Sequence, residues 1–396
     1  MRGRLAVTSE KDLDALFAAA VARGDVPGLV ALAADGNGLV YQGAFGGREQ
    51  VGDQAMSAAS VFWLASMTKA VTSVAAMQLV AAGRLALDAP IAALLPELAD
   101  RPVFAGFDAA GRPRLRPMRR PITLRHLLTH TAGFGYDMWR ADIGRLMAQA
   151  GVPQTTSRRR AALTMPLLFD PGEGWCYGVN TDFVGKAVEV ASGQTLRAYF
   201  QDHIFGPLGM TDTDFMLRED MHARRVRLHQ RGRAGDLAPS DIDPTPEPGI
   251  FLGGGGLFGT GPDYLRFLRM LLGGGSLDGV RILAPETVAL MAENQIGDLR
   301  AGVMTTAMPA LTNDVDLLPG QRGGWGLGFL INPAPLPGRR HAGSLAWAGL
   351  ANTYYWIDRA ANLTGVIMMQ ILPFADTKAL SLFADFERML YDGARA

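Results

Sequence analysis

Three features of this 396-residue chain predict an α/β protein of the α+β type: an antiparallel sheet flanked by helices, with an all-helical lobe inserted. A hairpin signal stands near the start, where strand-like residues 29–34 and 38–43 are joined by Asp35-Gly36-Asn37-Gly38. The last hundred residues carry runs rich in aromatic and β-branched residues, at 326–331, 350–357 and 364–369, the last two joined by a hairpin connection at 358–362. Between these ends lies a long helical stretch without the strand–helix alternation of a parallel sheet. The expected arrangement is a single domain, with a sheet lobe from about residues 1–90 and 300–396 and a mainly helical lobe at about 91–299.

Each element has its own warrant. Residues 11–22 place Leu13, Leu16, Phe17, Ala20 and Val21 on one helical face, and Val26-Pro27-Gly28 stops the helix. A loop at 46–57 follows. Residues 70–82 contain no Gly or Pro and are apolar nearly all round, as a buried helix is. Residues 91–98 read as a short helix. Residues 101–120 are rich in Pro, Gly and Arg and read as a surface loop; no aromatic ladder accompanies the arginines to make a nucleic-acid patch. Thr123 caps the next helix. His126 and His130 have the spacing of a metal pair, but Leu127 stands where a zinc protease has its glutamate, so both read as structural. Residues 158–168, 182–192 (closed by Gly193), 196–204, 263–272, 285–293 and 379–391 read as helices, and 224–248 gives no clear element. The glycine runs 253–256 and 273–275 lack a following Gly-Lys-Ser/Thr, so they read as tight turns beside a cleft, not phosphate cradles.

Thirty-eight basic and 38 acidic residues give zero formal net charge, which argues against nucleic acid or an anionic membrane as partner. The single cysteine, Cys176, excludes an internal disulfide framework and fits a reducing compartment. Glu10, Asp12 and Asp14 interrupt the N-terminal stretch, so no signal peptide is expected, and no run has the length of a transmembrane helix. The expected location is the cytoplasm.

The chemistry centres on Phe62-Trp63-Leu64-Ala65-Ser66-Met67-Thr68-Lys69. Ser66 stands where the apolar helix should begin, and free N–H groups at a helix start favour negative charge. Lys69 follows one turn later on the same face. A serine hydroxyl needs an adjacent base to become a nucleophile. A lysine in water is charged at neutral pH, but burial favours its neutral form. The plainer alternative is a helix cap beside a solvated lysine; the apolar flanks favour an interior lysine instead. In Pro171-Gly172-Glu173-Gly174-Trp175-Cys176-Tyr177-Gly178-Val179-Asn180-Thr181-Asp182, small neighbours present Tyr177 as a candidate general base, against the commoner fate of a core tyrosine. Asp182 would cap the following helix or anchor the loop, and Cys176 reads as a small buried residue. In 341–359, small residues let a substrate approach an edge strand closely. An N–H from that strand, with that of Ser66, would make a two-donor oxyanion hole.

Together these stretches resemble the serine β-lactamase and penicillin-binding protein superfamily, and more closely its esterase branch, the family VIII carboxylesterases. The resemblance runs over nearly the whole chain: Ser66-Met67-Thr68-Lys69, Leu127-Leu128-Thr129-His130-Thr131-Ala132-Gly133, residues 172–182, Phe205-Gly206-Pro207-Leu208-Gly209-Met210 and Trp347-Ala348-Gly349. It implies a β-lactamase-like fold, Ser66 as the acylated nucleophile and Lys69 with Tyr177 as the proton-transfer pair. It also implies the N–H groups of Ser66 and Leu350 as oxyanion donors, with Trp347, Gly349 and Asp182 binding or supporting substrate. His341-Ala342-Gly343 competes with Trp347-Ala348-Gly349 for the third-motif position. No cofactor or metal is implied, and the partner is a small-molecule ester.

Departures from the pattern bear on the substrate. Class C β-lactamases have Tyr-x-Asn in the second motif and Lys-Thr-Gly in the third. Here Val179 takes the asparagine position, Asn180 comes one place late, and Trp347 replaces the lysine. An uncharged ester suits such a cleft better than a penicillin. The expectation is a serine carboxylesterase hydrolysing short-chain or aryl esters through acyl-Ser66. Acyl transfer to an alcohol, weak β-lactamase or D-aminopeptidase-type hydrolysis, and a non-enzymatic penicillin sensor are the alternatives. A Ser-His-Asp hydrolase is disfavoured, because no Gly-x-Ser-x-Gly occurs.

Overall fold

The computed structural model of the chain describes residues 10–49, 54–245 and 249–393. The first residues of the N-terminal stretch, the centre of the 46–57 loop and the end of the 224–248 segment lie outside the described residues. Helix α1 (Glu10–Ala22) buries Leu13, Phe17 and Ala20. Strands β1 (Gly28–Asp35) and β2 (Leu39–Gly46) form the expected hairpin. Its turn is fixed by the Asp35 carboxylate, which accepts the N–H groups of Asn37 and Gly38 at 2.7 and 2.9 Å. Helix α2 (Thr68–Ala81) is buried along nearly its whole length, as its all-round apolar sequence requires.

The middle of the chain differs from expectation in several places. Residues 91–98 form two separate 3₁₀ turns, Ile91–Ala93 and Pro96–Leu98, split before Pro96. Residues 101–120 contain a small hairpin, β3 (Val103–Phe107) and β4 (Pro113–Arg116). Its reversal rests on Asp108, which accepts the N–H groups of Ala110 and Arg112, both at 2.9 Å. Helix α3 (Leu124–Leu128) starts at Thr123 in a reciprocal cap with His126. Helix α4 (Ala141–Ala150) has no counterpart in the sequence reading. Conversely, residues 158–168 hold only the 3₁₀ turn Arg160–Thr164, because Pro166 forces Met165 into an extended conformation with ψ 150°. Helix α5 (Asn180–Ser192) ends at Gly193, φ 73°, as expected. Helix α6 (Leu196–Phe200) continues through a wider turn, Gln201–Phe205, to Leu208. Short strands β5 (His229–Arg231) and β6 (Leu237–Pro239) pair within the stretch that gave no element.

Helices α7 (Gly261–Leu272) and α8 (Pro285–Met291) precede the second half of the sheet. Residues 326–331 are not one strand. They make the reversal between β7 (Gly324–Trp325) and β8 (Leu330–Ile331), with Gly326 N–H donating to Phe329 O at 2.8 Å. Then follow β9 (Leu345–Gly349), β10 (Thr353–Asp358), β11 (Leu363–Met368) and the terminal helix α9 (Thr377–Gly393). The sheet order is β7-β8-β9-β10-β11-β1-β2, antiparallel throughout, so both ends of the chain meet where β11 pairs with β1. Strand β1 is buried on both faces. Tyr41, opposite Ala33, packs against Phe17 of α1 and Phe386 of α9 on one face. On the other face α7 approaches so closely that a Cβ on Gly261 would lie 2.4 Å from Leu32. Among the described residues no helix is long and apolar enough to cross a membrane.

Candidate active site

Ser66 is not a helix cap. It is the middle residue of a 3₁₀ turn, Ala65–Met67, that runs directly into α2, whose own N-cap is Met67. Ala65 before it has φ 46°, in the left-handed region that a residue with a Cβ rarely adopts. Such a conformation costs on the order of 1–3 kcal/mol and persists only where packing over-determines it. Here Gly349 of β9 provides part of that packing: a Cβ on it would meet Leu64 O at 2.4 Å.

Lys69 is 1 % exposed, in the interior as expected. Its Nζ lies 3.1 Å from Ser66 Oγ, 3.2 Å from the Tyr136 hydroxyl and 2.6 Å from Gly254 O. Three oxygens therefore surround the amine within hydrogen-bonding reach: the Gly254 carbonyl, the Tyr136 hydroxyl and the Ser66 hydroxyl. The Tyr177 ring faces the same nitrogen, 4.7 Å from its centroid. The Tyr177 hydroxyl accepts the indole N–H of Trp347 at 3.2 Å. The phenol bonded directly to Lys69 is thus Tyr136, which the sequence reading missed. Its one signal was its place three residues after Leu127–Gly133 motif residue Gly133. Burial holds the Tyr136 hydroxyl well above the ordinary tyrosine range, so it stays protonated.

The two histidines are structural. His126 Nδ1 accepts the Thr123 N–H at 3.2 Å. His130 is buried, its Nδ1 3.0 Å from Asn180 Nδ2 and its ring 4.9 Å from that of Tyr177. Burial, then the charge of Lys69, hold His130 well below the usual histidine range, so it is neutral. Asn180 is therefore committed to His130, while Val179 lines the cavity beside Tyr177. Burial raises the Cys176 thiol to about 11, which makes it inert at neutral pH.

The glycine run forms the facing wall. Thr72 Oγ1 donates to Gly253 O at 2.7 Å, and Thr68 Oγ1 accepts the Leu257 N–H at 3.1 Å, so α2 itself holds this loop. Asp182, at the start of α5, accepts the Gly254 N–H at 2.8 Å and so fixes the carbonyl that receives Lys69. Burial raises the Asp182 carboxyl, against the opposing charges of Lys69 and Arg158 and the Gly254 bond. On the other side, β8 pairs only with Leu345 and Ala346 of β9, leaving Trp347, Ala348 and Gly349 on an open edge that lines the cavity with Leu350. Strand β9 is thus interior at its start and an edge only at the site. His341 is elsewhere: its Nδ1 pairs with Asp358 at 2.8 Å, and the cavity does not include it. Trp63, Met138, Trp139, Met304, Leu311 and Phe374 supply apolar walls.

An antiparallel sheet covered by helices on both faces, with a Ser-x-x-Lys serine on the turn into a buried helix, defines an active-site-serine enzyme. The chain belongs to the beta-lactamase family, whose model matches residues 13–385. Lovastatin esterase of Penicillium rubens is 35 % identical over 96 % of this chain and 98 % of its own length. Monacolin J acid methylbutanoyltransferase of Aspergillus terreus is 35 % identical over 96 % of this chain and 95 % of its own. Esterase EstB of Burkholderia gladioli is 32 % identical over 90 % and 89 %. Among solved structures, a mutant of simvastatin synthase from Aspergillus terreus superposes with a TM-score of 0.85 at 33 % identity, covering 100 % of this chain and 99 % of that one.

Proposed function

We propose that this enzyme cleaves carboxylic esters of short acyl chains or aryl alcohols through an acyl-Ser66 intermediate. The observation that carries the reading is the buried Lys69 Nζ 3.1 Å from Ser66 Oγ, with its two other neighbours placed to take its N–H groups. In this reading Lys69 receives the Ser66 proton as the hydroxyl attacks the ester carbonyl. Tyr177, its oxygen held by the Trp347 indole, passes a proton to the departing alkoxide and recovers one from Lys69, so that the Ser66 proton ends on the leaving alcohol. The N–H groups of Ser66 and Leu350 receive the developing oxyanion. Trp347 and Gly349 shape the substrate wall, and Asp182 keeps Gly254 in register with Lys69. The buried free thiol of Cys176 is compatible with the cytoplasm.

A second reading shares the same acyl-enzyme: transfer of the acyl group to an alcohol in place of water. It is supported by the relatives, which include both esterases and methylbutanoyltransferases at 32–35 % identity. Adding an alcohol during turnover of a p-nitrophenyl ester separates the two, since transfer yields a new ester and hydrolysis only the acid. The test of the nucleophile comes first. Ser66→Ala should abolish p-nitrophenyl butyrate hydrolysis in a folded protein, and a fluorophosphonate should label Ser66. Labelling of another serine would overturn the assignment.

A further inference from the structure

Resting on the reading of Ser66 as nucleophile, we propose that the substrate carries a carboxylate and that Arg158 binds it. Arg158 lines the cavity that Ser66 opens into, yet the residue is only 7 % exposed. Its Nη2 donates to Gly255 O at 2.6 Å, and its guanidinium lies 5.5 Å over the Trp63 ring. Its Nη1 is buried and has no hydrogen-bond partner among the described residues. A buried charged donor left unbonded is unfavourable, and native structures rarely retain one without a use.

Neither nearby carboxylate hydrogen-bonds the arginine. Asp182 and Asp243 both attract it, but Asp182 accepts the Gly254 N–H and Asp243 accepts Arg225 at 2.9 Å. Burial lowers the guanidinium to about 10, which leaves it a cation at neutral pH. A mere prop for the glycine loop needs one N–H, and Trp63 Nε1 already donates to the same Gly255 oxygen at 2.9 Å. The backbone is also committed: Arg158 has φ 60°, a left-handed conformation that closes the turn Thr155–Ser157.

The site's chemistry points to a carboxylate. An unpartnered guanidinium N–H suits a carboxylate oxygen, in a charge-assisted bond between opposite charges. Lys69 and Arg158 bind the consecutive carbonyls of Gly254 and Gly255, so the cation lies roughly 10 Å at most from Lys69 Nζ. An acyl or alcohol portion with a short acidic tail spans such a distance, its methylenes lying along the apolar walls.

The wild-type comparison needs no variant: the p-nitrophenyl monoester of glutaric acid against p-nitrophenyl valerate, which has the same chain length and ends in a methyl group. The acid ester should have the higher kcat/KM, by about tenfold or more. Arg158→Gln and Arg158→Met should erase most of that preference, and Arg158→Lys should keep part of it. The ratio of two substrates in one sample does not depend on the folded fraction. A wild type indifferent to the tail, or a ratio unchanged in Arg158→Gln, would overturn the proposal. If neither ester is cleaved, the reading of Ser66 fails instead. Calorimetric binding of glutarate to the full chain then decides the subsite alone: saturable binding abolished by Arg158→Gln supports it, and no binding, or binding that survives the substitution, overturns it.

Discussion

Two phenol rings flank Lys69 Nζ, Tyr177 at 4.7 Å and Tyr136 at 5.3 Å. Only the Tyr136 hydroxyl bonds the amine, and burial keeps it protonated. Only Tyr177 is bonded by Trp347. Lys69→Ala and Tyr177→Phe should therefore each lower kcat on p-nitrophenyl butyrate by about 10²–10⁴. The double variant should lose little more, because groups that move one proton together are not additive. Tyr136→Phe removes a positioning bond and should lower kcat by only about tenfold. Additive losses for Lys69 and Tyr177 would show that they act separately. At this scale the sequence was legible where residue type and spacing coincide. Ser66 and Lys69 announce each other at one helical turn, and Tyr177 stands among small residues. Tyr136 is brought to Lys69 by a loop sixty-seven positions away, and Arg158 by a left-handed turn in a segment read as helix. Neither leaves a periodic trace in the chain. The sequence places Ser66 at the start of the apolar helix, because a 3₁₀ turn that leads into a helix looks like the helix's own start.

Strong amphipathic or all-apolar periods made α1, α2, α5, α7 and α9 readable. The small hairpin of β3 and β4 was hidden, since two strands of five and four residues offer too few alternations to outweigh Pro and Arg. Helix α4 lies where the sequence predicts no element, and Pro166 ends the helix expected at 158–168 after one 3₁₀ turn. Helix α7 carries a testable electrostatic feature in its first turn. Asp263 accepts the Asp212 N–H at 2.7 Å and the Thr213 hydroxyl at 2.9 Å, tying the 212–213 loop to the helix. Burial nevertheless raises its carboxyl to about 6 from 3.8. The native state therefore binds this proton more readily than the unfolded chain. Stability from this group is present below pH 3.8 and is lost as pH rises to about 6, by an amount on the order of 3 kcal/mol. Asp263→Asn keeps a carbonyl acceptor for both bonds and removes the charge. It should raise the unfolding free energy by about 1–2 kcal/mol at pH 8, with the gain fading toward pH 4. Urea unfolding at the two pH values checks this, and a gain independent of pH would exclude burial of charge as the cause.

The whole-molecule arrangement was legible because strand signals cluster at both ends of the chain and helical ones between, which only a sheet closed by β1 and β11 can satisfy. The order in which distant segments wall the cavity was not, since it depends on how loops from the middle of the chain descend on β9. That order decides specificity. A β-lactam holds its carboxylate on a rigid bicycle, close to the scissile amide nitrogen, so its cation must stand beside the oxyanion donors. The side chain standing there is Trp347, already engaged with Tyr177. Arg339 and Arg340, nearby in sequence, are paired with Glu387 at 3.7 and 3.3 Å and do not line the cavity. Arg158 sits instead against Trp63 and Gly255, within reach of a flexible acid tail. The second-motif asparagine is likewise replaced by Val179, and Asn180 is spent on His130. Each missing charge-assisted or polar anchor is worth roughly 1.5–3 kcal/mol, about one to two powers of ten in rate. A neutral ester loses nothing by their absence. The kcat/KM for p-nitrophenyl butyrate should therefore exceed that for nitrocefin or a penicillin by at least about a hundredfold. Assaying the two on one preparation of the enzyme decides the matter: a nitrocefin value equal to the ester value would mean that another group anchors the β-lactam carboxylate, and would return the cleft to β-lactam chemistry.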